Sequence, residues 1–147
     1  VKQKYIINTM KGSSFLIIFL FIMVYDQWQN TTAWVYLWLH GMYGVLWVLK
    51  SWIFPDKSWE KELGLGWVFL SVFGLLAYWV APWILMSRGV QDPPWYLGFC
   101  VGLNILGVFL HFVTDMQKHT ALKLQPETLI TDGMMKEVRN LNYFGEL

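Results

Sequence analysis

The chain has 147 residues, of which 56% are hydrophobic, 18% aromatic and 14% charged, against about 25% charged in an ordinary soluble domain. Eleven basic and ten acidic residues leave a net charge of +1, so no global basic field points to nucleic acid. The same composition excludes disorder and a coiled coil, and the lone Cys100 excludes an internal disulfide or a Cys-rich metal centre.

Four apolar stretches without Lys, Arg, Asp or Glu follow one another, at about 12–25, 33–49, 63–85 and 95–113. A helix needs roughly 17–25 residues to cross about 30 Å of hydrocarbon. The last three stretches satisfy this. The first spans only by drawing in Tyr5 to Met10 and letting Lys11 snorkel. A cleaved signal peptide is its competing reading, but no small-x-small cleavage site follows. The start at Val1 rather than Met suggests a processed or missing N-terminus.

The second stretch carries His40, with Tyr36, Tyr43, Gly44 and Trp47 on its face and Gly41 and Gly44 inviting close approach of another helix. His40 is either a buried neutral side chain with one partner or a hydrogen-bond donor to a ligand. The loop from Lys50 to Glu62 turns at Phe54-Pro55-Asp56. Pro82 is expected to kink the third stretch or end it early. Gly64-Leu65-Gly66 lacks the third glycine of a dinucleotide fingerprint, since Phe69 occupies that place. Asp92-Pro93-Pro94 separates the third stretch from the fourth.

If all four stretches cross, one side receives Lys2, Lys4, Lys11, Lys50, Lys57, Lys61, Lys118, Lys123, Lys136 and Arg139, and the other receives only Arg88. That asymmetry is what the positive-inside rule predicts, with both termini on the cytosol-equivalent face. Trp28, Trp34, Trp52, Trp59, Trp67, Trp83 and Trp95 near the stretch ends read as an aromatic belt. The expected fold is therefore all-α: a polytopic membrane helix bundle with about four transmembrane helices, a single membrane domain over 1–147, and a short polar C-terminal tail over 114–147.

Asn104, His111, Asp115 and Lys118 are spaced to share one helical face climbing towards the basic side. Polar groups at membrane depth pair with one another or face a wet site, so the stripe is either a helix contact face or a functional surface. His40 and His111 would allow bis-histidine haem ligation, but two histidines alone do not select it, and no metal site is predicted. In the tail, Arg139, Asn142, Tyr143 and Glu146 fall on one polar face if that segment is helical. Arg presents a planar fork to phosphate, Asn and Tyr offer hydrogen bonds, and Glu accepts from a ribose hydroxyl. Asp132-Gly133 is placed to begin that helix and lend its dipole to an anion. A solvated amphipathic helix would show the same spacing.

Three runs taken together resemble a known family: His111-Phe-Val-Thr-Asp115-Met-Gln117-Lys118, then Leu129-Ile-Thr-Asp132-Gly133, then Arg139-Asn-Leu-Asn142-Tyr143-Phe-Gly145-Glu146. They are similar to the D-x-Q-K, L-I-T-D-G and R-(H/N)-P-N-Y-x-G-E patterns of steroid 5-alpha-reductase-like membrane proteins, in the branch called domain-of-unknown-function 1295. The block Leu39 to Lys50 followed by Phe54-Pro55-Asp56 resembles that branch too, so the likeness runs from about Trp34 to Glu146. The resemblance implies a multi-pass reductase that reduces a carbon–carbon double bond of a lipid or steroid-like enone with NADPH. Asp115, Gln117, Lys118, Arg139, Asn142, Tyr143 and Glu146 would hold the cofactor, and His40 and Tyr43 would be the candidates on the lipid-substrate side. The endoplasmic reticulum would be the expected membrane.

Isoprenylcysteine carboxyl methyltransferases share a related tail but use S-adenosylmethionine, which gives a second enzymatic alternative. Leu141 stands where the family has proline, and family members continue beyond G-E into further hydrophobic helices, whereas this chain ends at Leu147. These departures motivate a non-enzymatic alternative: a catalytically inactive descendant acting as an accessory subunit among other membrane subunits, for example in the mitochondrial inner membrane. The lipid bilayer is the expected partner in every case.

Overall fold

The structure is a computed structural model and describes residues 1–136 and 138–146. Among the described residues every regular element is helical, the only β feature being an isolated bridge between Lys2 and Glu62. It resolves into two compact units, 1–97 and 98–147.

In the first unit α1 runs Gln3–Val24. It takes in Tyr5 to Met10 as expected, which gives the short first stretch the length of a crossing. The second stretch is one helical run over 31–53: α2 (Thr31–Tyr36), a π-helical turn (Leu37–Gly41) and α3 (Met42–Ile53). Asn30 starts it, accepting from Ala33 N at 3.3 Å, as an N-cap should. After a 3-10 turn (Lys57–Glu60), the third run consists of α4 (Leu65–Leu76), a 3-10 turn (Ala77–Trp79) and α5 (Val80–Ser87). The tightened turn lies just before Pro82, whose ring crowds the carbonyl four residues back and removes one helical donor. The expected break is therefore present, but the run continues beyond it to Ser87.

The two ends of this unit are tied by main-chain contacts. At one end Gln3 N donates to Lys61 O at 2.9 Å and Leu63 N to Val1 O at 3.0 Å. At the other, Asn30 Nδ2 donates to Val90 O at 2.9 Å and Asp92 N to Thr32 Oγ1 at 2.8 Å. The three runs thus shuttle between the same two ends. Lys2, Lys4 and Lys61 lie at the first end, and Arg88 closes α5 at the second. Ile18 and Ile22 of α1, Ala33, Leu37 and Met86 form the core, with Phe15, Phe19 and Trp34 packed around it.

Among the described residues, three helical segments are long and apolar enough to cross a membrane: Gln3–Val24, Leu65–Ser87 and Pro94–Leu124. The run over 31–53 is not among them, because its Trp, Tyr, His40 and Lys50 dilute its apolar character. α6 (Pro94–Leu124) opens on proline, which suits a first helical position, and continues well past Val113. The segment 114–124, expected in the polar tail, is thus the last part of this helix. Its Met, Gln, Lys, Ala and Leu residues are good helix formers.

Candidate functional site

In the unit 98–147 the tail folds back onto α6. A 3-10 turn (Gly133–Met135) and the four-residue helix α7 (Leu141–Phe144) are its regular pieces. Asn142 is buried, and its Nδ2 donates to Asp115 Oδ1 at 2.8 Å. His111 Nδ1 lies 2.9 Å from the main-chain oxygen of Asn142. A carbonyl only accepts, so Nδ1 carries the proton. His111 Nε2 lies 3.6 Å from Asp115 Oδ2, one helical turn away. His111, Thr114 and Asp115 are all buried under the tail. Of the four residues foreseen on one face of α6, His111 and Asp115 therefore contact the C-terminal segment.

Two residues past Asp115 on α6, Gln117 clamps the loop that precedes α7. Its Nε2 donates to Asp132 O at 2.8 Å and its Oε1 accepts from Met134 N at 3.0 Å. Gly133 between them has φ +56, and a Cβ there would strike the Gln117 amide. Both the backbone conformation and the close approach demand glycine. A second glycine contact was not foreseen. A Cβ on Gly145 would lie 2.5 Å from Gly107 O and 2.7 Å from His111 N, and a Cβ on Gly107 would lie 2.5 Å from Gly145 O. Main chain meets main chain here. The signal in the sequence was the pair of small residues, but nothing local links them across the chain.

Two expectations about the tail are corrected. Arg139, Asn142, Tyr143 and Glu146 do not form one polar helical face, because α7 covers only 141–144, Asn142 turns inward onto Asp115, and Arg139, Tyr143 and Glu146 are exposed. Asp132-Gly133 does not begin a long helix; it starts a single 3-10 turn, because Gly133 adopts a left-handed conformation and Gln117 holds both sides of it. Leu141 is the first residue of α7, a position where proline is tolerated and never required. Of the residues assigned to a cofactor by resemblance, Asp115, Gln117 and Asn142 are thus joined to neighbouring protein groups. Arg139, Tyr143 and Glu146 are exposed residues, and Lys118 is half-buried on α6.

The unit 1–97 holds the other candidates. His40 lies in the π-helical turn, stacked on Tyr36 at 5.3 Å and 5.5 Å from the ring of Tyr78. Tyr43 faces Lys11, with Nζ 5.2 Å from its ring centroid. Lys11 does not snorkel. Its side chain is buried, and Nζ lies 3.4 Å from the Trp47 centroid and 5.4 Å from that of Tyr78. Three rings surround the ammonium because helices pack closely here. A Cβ on Gly44 would collide with Lys11 O, and one on Gly41 would lie 2.9 Å from Phe15 Cδ2, as expected for small residues at a helix contact. Trp79 Nε1 donates to the fully buried Ser14 at 3.2 Å, so Lys11 and Ser14 place two buried polar groups within one turn of α1. Among the described residues no group of three or more His, Cys, Asp or Glu side chains is placed to hold a metal ion.

No family model, curated protein or solved structure matches the chain.

Proposed function

We propose that the chain is an integral membrane protein of four crossings that works as a reductase of the steroid 5-alpha-reductase-like type, using NADPH to reduce a carbon–carbon double bond of a lipid or steroid-like enone. One observation supports this reading above the others. Three motif runs separated in sequence meet in one place, through Asp115 with Asn142 and Gln117 with the Asp132–Met134 turn. A chain carrying the motifs by chance would have no reason to join them.

The donor set fits the polar parts of a dinucleotide. Arg139 supplies a planar fork for a phosphate, Lys118 a second cation, Tyr143 a hydroxyl, and Glu146 an acceptor for ribose. Asp115, Asn142, Gln117 and His111 form the frame that fixes these groups, since their hydrogen bonds run to one another and to the tail backbone. NADPH supplies the hydride; the protein orients it and sets the local field. His40 and Tyr43, in aromatic surroundings in the unit 1–97, are the candidates for the substrate side. The four-crossing arrangement is supported by the shuttling runs of that unit, which separate Lys2, Lys4 and Lys61 from Arg88.

A second reading is favoured by the same hydrogen bonds. If Asp115, Asn142 and Gln117 are fully engaged in holding the tail, the chain is a non-catalytic descendant serving as an accessory membrane subunit. Exposed Trp67, Phe69 and Phe73 on α4 would then lie against lipid or partner helices.

The test is NADPH binding by the intact protein in detergent, read by calorimetry. Saturable binding that weakens in Arg139→Ala and Tyr143→Phe supports the reductase. Binding of neither NADPH nor S-adenosylmethionine favours the accessory reading, and binding of S-adenosylmethionine in place of NADPH favours a methyltransferase.

A further inference from the structure

We propose that one face of α1 conducts protons from the lysine-bearing end of the unit 1–97 to His40, which delivers the proton that reduction of a double bond consumes. This rests on the membrane reading and on His40 standing at the substrate side. Hydride added to one carbon of a double bond leaves the neighbouring carbon to take up a proton, and hydrocarbon has none to give. Lys4, Asn8, Lys11 and Ser14 are spaced by four, three and three, so they share one face of α1. At about 1.5 Å per residue the stripe reaches roughly 15 Å along the helix. Lys4 and Asn8 are half-buried, Lys11 and Ser14 buried. Each meets polar or aromatic groups of another segment. Glu60 accepts from Lys4, Asn8 Nδ2 donates to Ser51 Oγ at 2.9 Å, and Ser14 Oγ accepts from Trp79 Nε1 at 3.2 Å. Lys11 lies among the rings of Tyr43, Trp47 and Tyr78.

Polar side chains in a row at membrane depth serve either as a helix contact or as a proton relay. The far end of this row favours the relay. Tyr78, whose ring lies 5.4 Å from Lys11 Nζ, is also 5.5 Å from the ring of His40. The His40 imidazole is half-buried and makes no hydrogen bond to any described residue. It has one nitrogen that donates and one that accepts, so it can take a proton on one and release a proton from the other. The row thus leads to a group whose two proton functions are both unused. Lys11 is the charged group that acts on His40, and the phenols of Tyr36 and Tyr78 face it from its own run and from the 3-10 turn. At each step along the row one N–H or O–H bond breaks as the next forms. The net change is one proton taken from water at the lysine-bearing end and one N–H bond formed on His40.

The full chain, labelled with nitrogen-15 in its histidines, is placed in phosphatidylcholine nanodiscs. The exchange of the His40 ring proton with water is then measured by magnetisation transfer, its signal being the one lost in His40→Gln. Lys11→Met and Asn8→Leu each put an apolar side chain into the row. Each should slow exchange on the order of tenfold, the rate equivalent of one unmade hydrogen bond at about 1.4 kcal/mol. Asn8→Ser keeps a hydrogen-bonding group at the same point and should stay close to the wild-type rate. Ser87→Ala removes an exposed hydroxyl at the opposite end of the unit and should leave exchange unchanged.

An unchanged or faster rate in both Lys11→Met and Asn8→Leu overturns the route, as does equal slowing in Ser87→Ala. Loosening of the helix packing speeds exchange, so a damaged fold cannot imitate the expected result. NADPH binding is measured on the same samples and reports on the other unit's residues. Loss of NADPH binding with the exchange pattern intact removes the reductase and with it the use of the proton. NADPH binding with exchange indifferent to Lys11 and Asn8 removes the route and leaves the reductase.

Discussion

Asn142 Nδ2 and Asp115 Oδ1 are 2.8 Å apart and buried, although 27 residues separate them in the chain. His111 holds the carbonyl of the same asparagine. Asn142→Ala leaves Asp115 without this donor under the tail. Leaving a buried acceptor without its donor costs about 1–3 kcal/mol. The tail should then open, and the amides of Tyr143, Phe144 and Gly145, which bond to Asn140 and Leu141 carbonyls, should exchange faster with deuterium. Asn140→Ala is the comparison. Asn140 is exposed and its side chain caps nothing, so exchange there should be unchanged.

The contact between Gly107 and Gly145 yields an independent test of the same fold-back. Gly145→Ala places a methyl against two backbone atoms, and neither can rotate away. Overpacking of this kind costs about 1–3 kcal/mol. Tail docking should weaken in Gly145→Ala and in Gly107→Ala. Gly102→Ala, where nothing lies within 4 Å of the added atom, should gain helical propensity instead. Limited proteolysis of the tail separates the three: faster cleavage for the first two, and unchanged or slower cleavage for the third.

The aromatic surroundings of Lys11 predict a coupling energy. Its ammonium lies closest to Trp47, and a desolvated cation–π contact is worth about 2 kcal/mol. Trp47→Leu should destabilise the unit 1–97 more than Trp38→Leu, since Trp38 is 57% exposed. Lys11→Met keeps the length and removes the charge. Combined with Trp47→Leu it should cost less than the sum of the two single changes, and a double-mutant cycle on detergent melts measures the difference. Additive losses would show that the ring and the cation are energetically independent.

What the sequence reveals and what it hides divide along the range of the interactions. The break before Pro82, the start of α6 at Pro94 and the close approach at Gly41 and Gly44 follow from local stereochemistry, and the residues state them directly. The inward turn of Asn142 is not local. Helical spacing placed it beside Arg139 and Tyr143, but a buried carboxylate on another segment decides its direction. Lys11 misleads for the same reason. A lysine near the end of an apolar run snorkels unless rings close around it, and Trp47 and Tyr78 come from two other runs. The extension of α6 to Leu124 is hidden by polarity: a loss of hydrophobic character marks the end of an apolar stretch, not the end of a helix, and those residues form helix well.

The clasp at the lysine-bearing end of the unit 1–97 should respond to pH at both extremes. Hydrogen bonds from Lys4 and then Lys2 hold the exposed Glu60 carboxyl below its ordinary value of 4.5. The hydrogen bond to Glu60, reinforced by its charge, raises Lys2 above 10.5. A carboxylate whose folded value is depressed contributes stability above its ordinary value, and that contribution is lost as pH falls through the folded one. A raised lysine contributes below its ordinary value and loses that contribution as pH rises through the folded one. The clasp should therefore be tightest between about pH 4.5 and 10.5 and loosen on either side. The Gln3 and Leu63 amides, which bond across it, report this as a two-sided rise in opening once intrinsic exchange is corrected for pH. Glu60→Gln keeps an acceptor but removes the charge, and should abolish the acid limb and weaken the alkaline one. An unchanged acid limb in Glu60→Gln would mean that another carboxylate governs this end.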